Sequence, residues 1–184
     1  MRTSDIPEPC GFDRRAFTLR DLLGRASSTE RSSWTDLPQC PGIYVVHWTL
    51  GEPPTFKANA GRAILAEVQP PRLLRTRWTD ITEKAETDVI YIGSATSLKK
   101  RVRELVRFGV GRDRRRRHAG GEWMWQISKI AYAKILIQTC PRGRQVGFEN
   151  SLLEQFHAEH ADWPLSNRDG PKRPDRWWPC RKAE

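Results

Sequence analysis

A carboxylate in the middle of an apolar helical face is the most demanding residue in this chain. From about Gln145 to His160 the sequence reads as a helix with Leu152, Leu153 and Phe156 along one face. At about 100° per residue, Glu149 falls at the centre of that face, one turn ahead of the leucines. A charge turned into a core is costly unless it is paired or holds a metal. Glu154 and Glu159 lie off the centre and read as surface residues, and His160 faces inward at the helix C-terminus, where a satisfied histidine suits the dipole. A cation able to meet Glu149 is Arg101. Leu98, Val102, Leu105 and Val106 form the inward stripe of another helix, with Lys100, Arg103 and Arg107 outward. Arg101 sits at the edge of that stripe, one turn from Leu98 and one from Leu105. Two readings of Glu149 stay open at this level: a buried ion pair with Arg101, or an oxygen ligand for a hard divalent cation.

Two short strands must position these groups. Val89-Ile90-Tyr91-Ile92 is β-branched or aromatic throughout, Gly93 is expected to relieve a turn, and Thr96 or Ser97 can cap the helix that carries Arg101. Upstream, Pro41-Gly42-Ile43-Tyr44-Val45-Val46 reads as the first strand, roughly Gly42 to Thr49. Gly42-Ile43-Tyr44 and Tyr91-Ile92-Gly93, followed eight positions on by Arg101 in the Lys99-Lys100-Arg101 run that opens the next helix, resemble the GIY-YIG nuclease superfamily. Glu149-Asn150-Ser151-Leu152-Leu153 resembles the family's glutamate ahead of a leucine pair, and Pro164-Leu165-Ser166-Asn167 its Pro-x-x-Asn. The resemblance spans Pro41 to Asn167, most of the chain.

The resemblance implies an α/β fold: a small, mainly antiparallel three-stranded sheet flanked by helices. An N-terminal helical extension and a long insertion between the first two strands would decorate it. It also implies a metal-dependent endonuclease that hydrolyses DNA phosphodiester bonds. In that reading Tyr44 orients or deprotonates the attacking water, Tyr91 hydrogen-bonds the nucleophile or a phosphate oxygen, and Arg101 stabilises the transition state. Glu149 holds the metal and the amide of Asn167 braces the site. A lone carboxylate points to one divalent ion, Mg²⁺ or Mn²⁺, since two-metal nucleases need a denser carboxylate cluster. Each tyrosine also has a bland alternative as a half-buried strand residue, and Asn167 as an Asx-turn.

The chain departs from the family pattern in two places. Many members carry His or Tyr one turn after the arginine, where this chain has Leu105; His118 from the following loop is either its substitute or a phosphate-contacting or exposed residue. Residues 45–90 separate the two motif tyrosines, where compact members have a short connection. Within this insertion, 50–87, Arg62 to Val68 reads as helical and is stopped by Pro70-Pro71. Arg72, Arg75, Arg77 and Trp78 then offer either DNA contacts or a packed excursion.

Composition agrees with a polyanion partner. The 184 residues carry a formal charge of +10, so an acidic partner is expected, and nucleic acid is favoured over a membrane because no amphipathic lipid-binding helix is evident; the resemblance narrows this to DNA, double-stranded. No apolar run approaches a transmembrane length and Met1 leads into no apolar signal core, so the expected compartment is cytoplasmic. Cys10, Cys40, Cys140 and Cys180 form no CxxC pair and read as reduced thiols, with a zinc site or a disulfide as the alternative. Residues 1–40 read as a loose arm and a short helix over Phe17 to Leu23, ended by Gly24 or Ser27-Ser28. Residues 41–170 form the nuclease domain and 171–184 a basic, Trp-rich tail. After the Arg101 helix, ended by Gly109 and Gly111, Arg112 and Arg114, Arg115, Arg116 and Arg117 join Lys99 and Lys100 as candidate phosphate contacts. Trp123-Met124-Trp125-Gln126 starts a short helix whose tryptophans read as core, with a base-stacking surface as the alternative, and Ala131 to Thr139 forms the third strand. A catalytically inactive nucleic-acid-binding module of the same fold is the alternative, with an acidic protein partner a third reading. Monomer and homodimer both stay open.

Overall fold

The computed structural model describes residues 13–28, 34–63, 65, 67–112, 121–168 and 170–171. Strand β1 (Arg14–Thr18) leads into helix α1 (Leu19–Ser27), followed by β2 (Gly42–His47), α2 (Pro71–Lys84), β3 (Val89–Ala95), α3 (Leu98–Gly109), β4 (Lys134–Thr139) and α4 (Gln145–His160). The architecture is α/β. Among the described residues the sheet has four strands in the order β1-β4-β2-β3, every neighbouring pair antiparallel.

The expected three-stranded sheet is therefore corrected to four. The extra strand is β1, where Arg14, Arg15 and Ala16 are exposed and only Phe17 and Thr18 are partly covered. Such a polar edge strand carries little hydrophobic alternation to read, and its charged side chains protect the sheet's open edge. The helix expected to begin near Phe17 starts at Leu19, with the Thr18 hydroxyl accepting the Asp21 N–H. Gly24 lies inside it and the Ser27-Ser28 pair ends it.

Two layers cover the sheet. Leu19 and Leu22 of α1 and Leu98, Val102 and Leu105 of α3 bury one face with Tyr44, Val46, Ile135 and Ile137. Leu153 and Phe156 of α4 join Ile92, Val45 and Ile81 of α2 in a smaller cluster on the other. His160 is buried at the end of α4, its Nδ1 3.1 Å from the Ile81 carbonyl, the satisfied histidine that the sequence suggests. The expected helix over 62–68 is absent from the described residues of that stretch. Instead α2 begins at Pro71, because a proline in the first helical position loses no hydrogen bond and is already set at a helical φ.

Trp123–Gln126 forms a short 3₁₀ turn with Met124 and Trp125 in the core. Gln126 is fully buried and fully used, donating to the Lys57 and Gln69 carbonyls and accepting the Gln69 N–H. These bonds tie the insertion to the body. Cys140 is a free, buried thiol, whereas Cys40 is disulfide-bonded, contrary to the expectation of reduced cysteines. No helix among the described residues is long and apolar enough to cross a membrane. The tail from 172 onward, the first 12 residues and the segment 113–120 lie outside the described residues.

Candidate active site

The site is built on the pairing of β2 with β3. Tyr44 stands opposite Gly93 and Val46 opposite Tyr91. Tyr91 and Gly93 are two apart on one strand and share its face. The two tyrosine rings therefore meet, with centroids 5.7 Å apart and planes inclined at 54°. Gly93 makes this possible from inside β3, not from a turn: a Cβ there would stand 2.7 Å from the Tyr44 hydroxyl oxygen. Gly42 is fixed by the same logic, since its Cβ would lie 2.2 Å from the Gln138 carbonyl oxygen. Both motif glycines are demanded by close approach.

Helix α3 brings the cation. Its start is pinned beside β2, with the Leu98 and Lys99 N–H groups donating to the Cys40 and Pro38 carbonyls and the Lys100 N–H to the Ser97 hydroxyl. These bonds satisfy amides that the first turn leaves free. From there the Arg101 Nε donates to the Tyr44 hydroxyl at 3.3 Å. Burial pulls the guanidinium's pKa down, but Tyr44 and Tyr91 beside it outweigh that and hold it above its ordinary value. Burial, reinforced by Tyr44 and more weakly by Glu149, holds the Tyr91 phenol well above its ordinary value despite Arg101. Tyr91 is thus a neutral hydrogen-bonding group across the working range of pH.

Glu149 is 4 % exposed, one turn into α4, and accepts a hydrogen bond from the Ser94 hydroxyl. Arg101 turns to Tyr44 instead, so the ion pair open at the sequence level is not what positions Glu149. Ser94 was not foreseen. Its only sequence signal is that it follows the Tyr91-Ile92-Gly93 motif, where the strand's alternation turns it to the other face from Gly93. Gln145, one turn before Glu149, is also buried, and its Oε1 has no hydrogen-bond partner among the described residues.

Asn167 braces the outer edge of β3. Ile92 is paired with Val45 so that its own N–H and C=O point away from β2; the Asn167 amide accepts from the first at 3.0 Å and donates to the second at 2.8 Å. The Ser166 N–H adds a bond to the Ile90 carbonyl. This is a side chain doing the work of a fifth strand, and it replaces the Asx-turn alternative. The segment is clamped by Arg77 of α2, so of the two readings of the insertion the packed excursion describes this side chain. Its guanidinium grips the Asp162 carboxylate at 3.0 and 3.1 Å and donates to the Trp163 and Asn167 carbonyls.

Other candidates are placed elsewhere. Leu105 is wholly buried in the main core. His118 and Arg114, Arg115, Arg116 and Arg117 lie outside the described residues. Arg112 is exposed and donates to the Ser27 and Ser28 carbonyls at the end of α1, the position of a helix C-terminal cap. Lys99 and Lys100 line a groove of about 460 Å³ with Gln39, Ser97, Arg103, Glu104 and Arg107 on the outer side of α3. No group of three or more His, Cys, Asp or Glu side chains among the described residues is arranged to hold a metal. Compared with family models, curated proteins and solved structures, the chain matches none of them.

Proposed function

We propose that this protein is a GIY-YIG-type endodeoxyribonuclease that hydrolyses phosphodiester bonds of double-stranded DNA with one Mg²⁺ or Mn²⁺ ion. The observation that carries the reading is convergence. Tyr44, Tyr91, Arg101, Glu149 and Asn167 come from five separate stretches of chain and all bear on the β2–β3 pair: the tyrosines and Arg101 on its α3 face, Glu149 through Ser94 on its α4 face, and Asn167 at the outer edge of β3. A basic groove on α3 and the net charge of +10 suit a phosphate backbone.

The donor set fits a hard cation: Glu149 is a buried carboxylate oxygen donor with a buried amide oxygen, that of Gln145, one turn away. Glu149 would hold the ion, which when bound supplies positive charge beside the scissile phosphate and makes a nearby water more acidic. Arg101 presents a permanent cation where negative charge develops on the phosphate oxygens. Its bond to Tyr44 fixes the phenol that orients or deprotonates the attacking water. Tyr91, kept neutral, serves as a hydrogen-bond donor to the nucleophile or a phosphate oxygen and not as a base. Asn167 holds β3, and with it Tyr91, in register.

The test is incubation with supercoiled and linear DNA in Mg²⁺ or in chelator. Wild type is expected to cut only with the metal. Glu149→Gln should abolish cutting while DNA binding persists or tightens, because repulsion between carboxylate and phosphate is relieved. A folded, fully active Glu149→Gln protein would remove the basis of the proposal. A second reading, a DNA-binding module that has lost catalysis, is favoured by the buried Leu105 where the family places His or Tyr, and by the near-complete burial of both tyrosines. Salt-sensitive retention of DNA with no cleavage in either metal would select it.

A further inference from the structure

The buried amide of α4 that lies one turn before Glu149 has no hydrogen-bonding use of its own among the described residues. Gln145 is the first residue of α4 and is 9 % exposed; its Oε1 is closed off from solvent without a hydrogen-bond partner among the described residues. An amide oxygen left this way bears an uncompensated desolvation cost, so its retention in a native chain calls for a use. Helix capping is not that use, because the cap position is Arg144 and no side chain caps the helix.

The position of Gln145 is the informative part. It lies four residues before Glu149 on one helix face, with roughly 5–6 Å between Cβ atoms at that spacing. Four residues apart is also the spacing at which two side chains of one helix ligate a single ion. Amide dipoles in the first turn oppose a cation, so a neutral oxygen alone would not bind one; Glu149 supplies the charge that offsets them. One carboxylate, neutral oxygens and retained waters are the usual company of Mg²⁺.

We propose that Gln145 Oε1 is the second protein oxygen of the divalent-cation site headed by Glu149, meeting the ion directly or through one of its waters. This rests on the nuclease reading only in that it takes the ion to be at Glu149. The test is Mn²⁺ binding by the full chain, followed by electron paramagnetic resonance of the free ion. It is run on protein saturated with a duplex carrying cleavage-resistant phosphorothioate linkages, with Glu149→Gln as the baseline.

Gln145→Met keeps the length and removes the oxygen, and should weaken Mn²⁺ binding by about 10–100-fold. Gln145→Glu keeps an oxygen, adds charge, and should bind Mn²⁺ more tightly than wild type. In chelator, Gln145→Met should melt no lower than wild type, since it removes an unpaired polar group from burial. Wild-type Mn²⁺ affinity in Gln145→Met, with binding lost in Glu149→Gln, would overturn the proposal and leave the nuclease reading standing. Equal binding by wild type and Glu149→Gln would overturn both. Should Gln145→Met not fold, Gln145→Glu decides: tighter binding supports the assignment, and unchanged or weaker binding overturns it.

Discussion

Tyr91 shows how a single buried phenol ties the site to the stability of the sheet. Its ring lies against Tyr44 on one side and close to Gly121 on another, where an added Cβ would stand 3.3 Å away. The folded protein holds this phenol well above its ordinary value, mainly by burial. An unfolded tyrosine ionises near pH 10, so above about that pH the unfolded chain has lost a proton that the folded chain keeps. The resulting stability is fully present below about pH 10 and is lost as pH rises toward the folded value. Tyr91→Phe should therefore make the fall in stability between about pH 9 and 11 shallower, read from denaturant midpoints across that range. A variant with the wild-type slope would mean that Tyr91 is no more shielded than an exposed tyrosine. At this scale the placement of the two tyrosines could be read from the chain because a strand's two-residue period puts Tyr91 and Gly93 on one side. Ser94 and Gln145 escaped because neither breaks a pattern. A serine after a glycine and a glutamine opening a helix acquire meaning only once burial is known.

Helix α3 divides its labour around its circumference. Leu98, Val102 and Leu105 fill the core, Arg101 reaches Tyr44, and Arg103 lies two residues further on, nearly opposite Arg101 at about 100° per residue. Arg103 and Arg107 are one turn apart and line the basic groove with Lys99 and Lys100. Replacing Arg103 and Arg107 by Gln should weaken DNA binding. It should also flatten the dependence of log K on log salt by about two units, close to one per lost phosphate contact. The cleavage rate at saturating DNA should stay within about twofold, because neither residue faces Tyr44. An unchanged salt slope would assign the groove to solvated decoration. Helix α3 follows a clean 3.6-residue stripe and was legible in the sequence to within a residue. Helix α2 was not, because Pro70-Pro71 stops a helix and starts one equally well and only tertiary packing chooses. Here Leu74, Trp78 and Ile81 are the buried face that decides it.

Across the whole molecule, the insertion between the motif strands acts as a buttress for the candidate site. Trp78 is buried rather than presented to DNA, and Arg77 joins α2 to the segment that carries Asn167 through Asp162 and two backbone carbonyls. Asn167 in turn supplies both hydrogen bonds to the outward side of Ile92, the residue between Tyr91 and Gly93. A chain of contacts thus runs from the long connection between the motif tyrosines back to the strand that bears one of them. Arg77→Met keeps much of the stem packing but removes the fork. Loss of charge-assisted bonds at this partly buried position should cost about 1.5–3 kcal/mol of stability. If the buttress works through Asn167, the loss will not be uniform. The Ile92 amide, which donates to Asn167, should exchange with solvent faster than the destabilisation alone accounts for, while the amides of β4 change only with global stability. Hydrogen exchange resolved at single amides separates the cases: uniform acceleration would reduce Arg77 to a general stabiliser, and selective exposure of Ile92 would make the insertion part of what keeps β3 in place beneath the site.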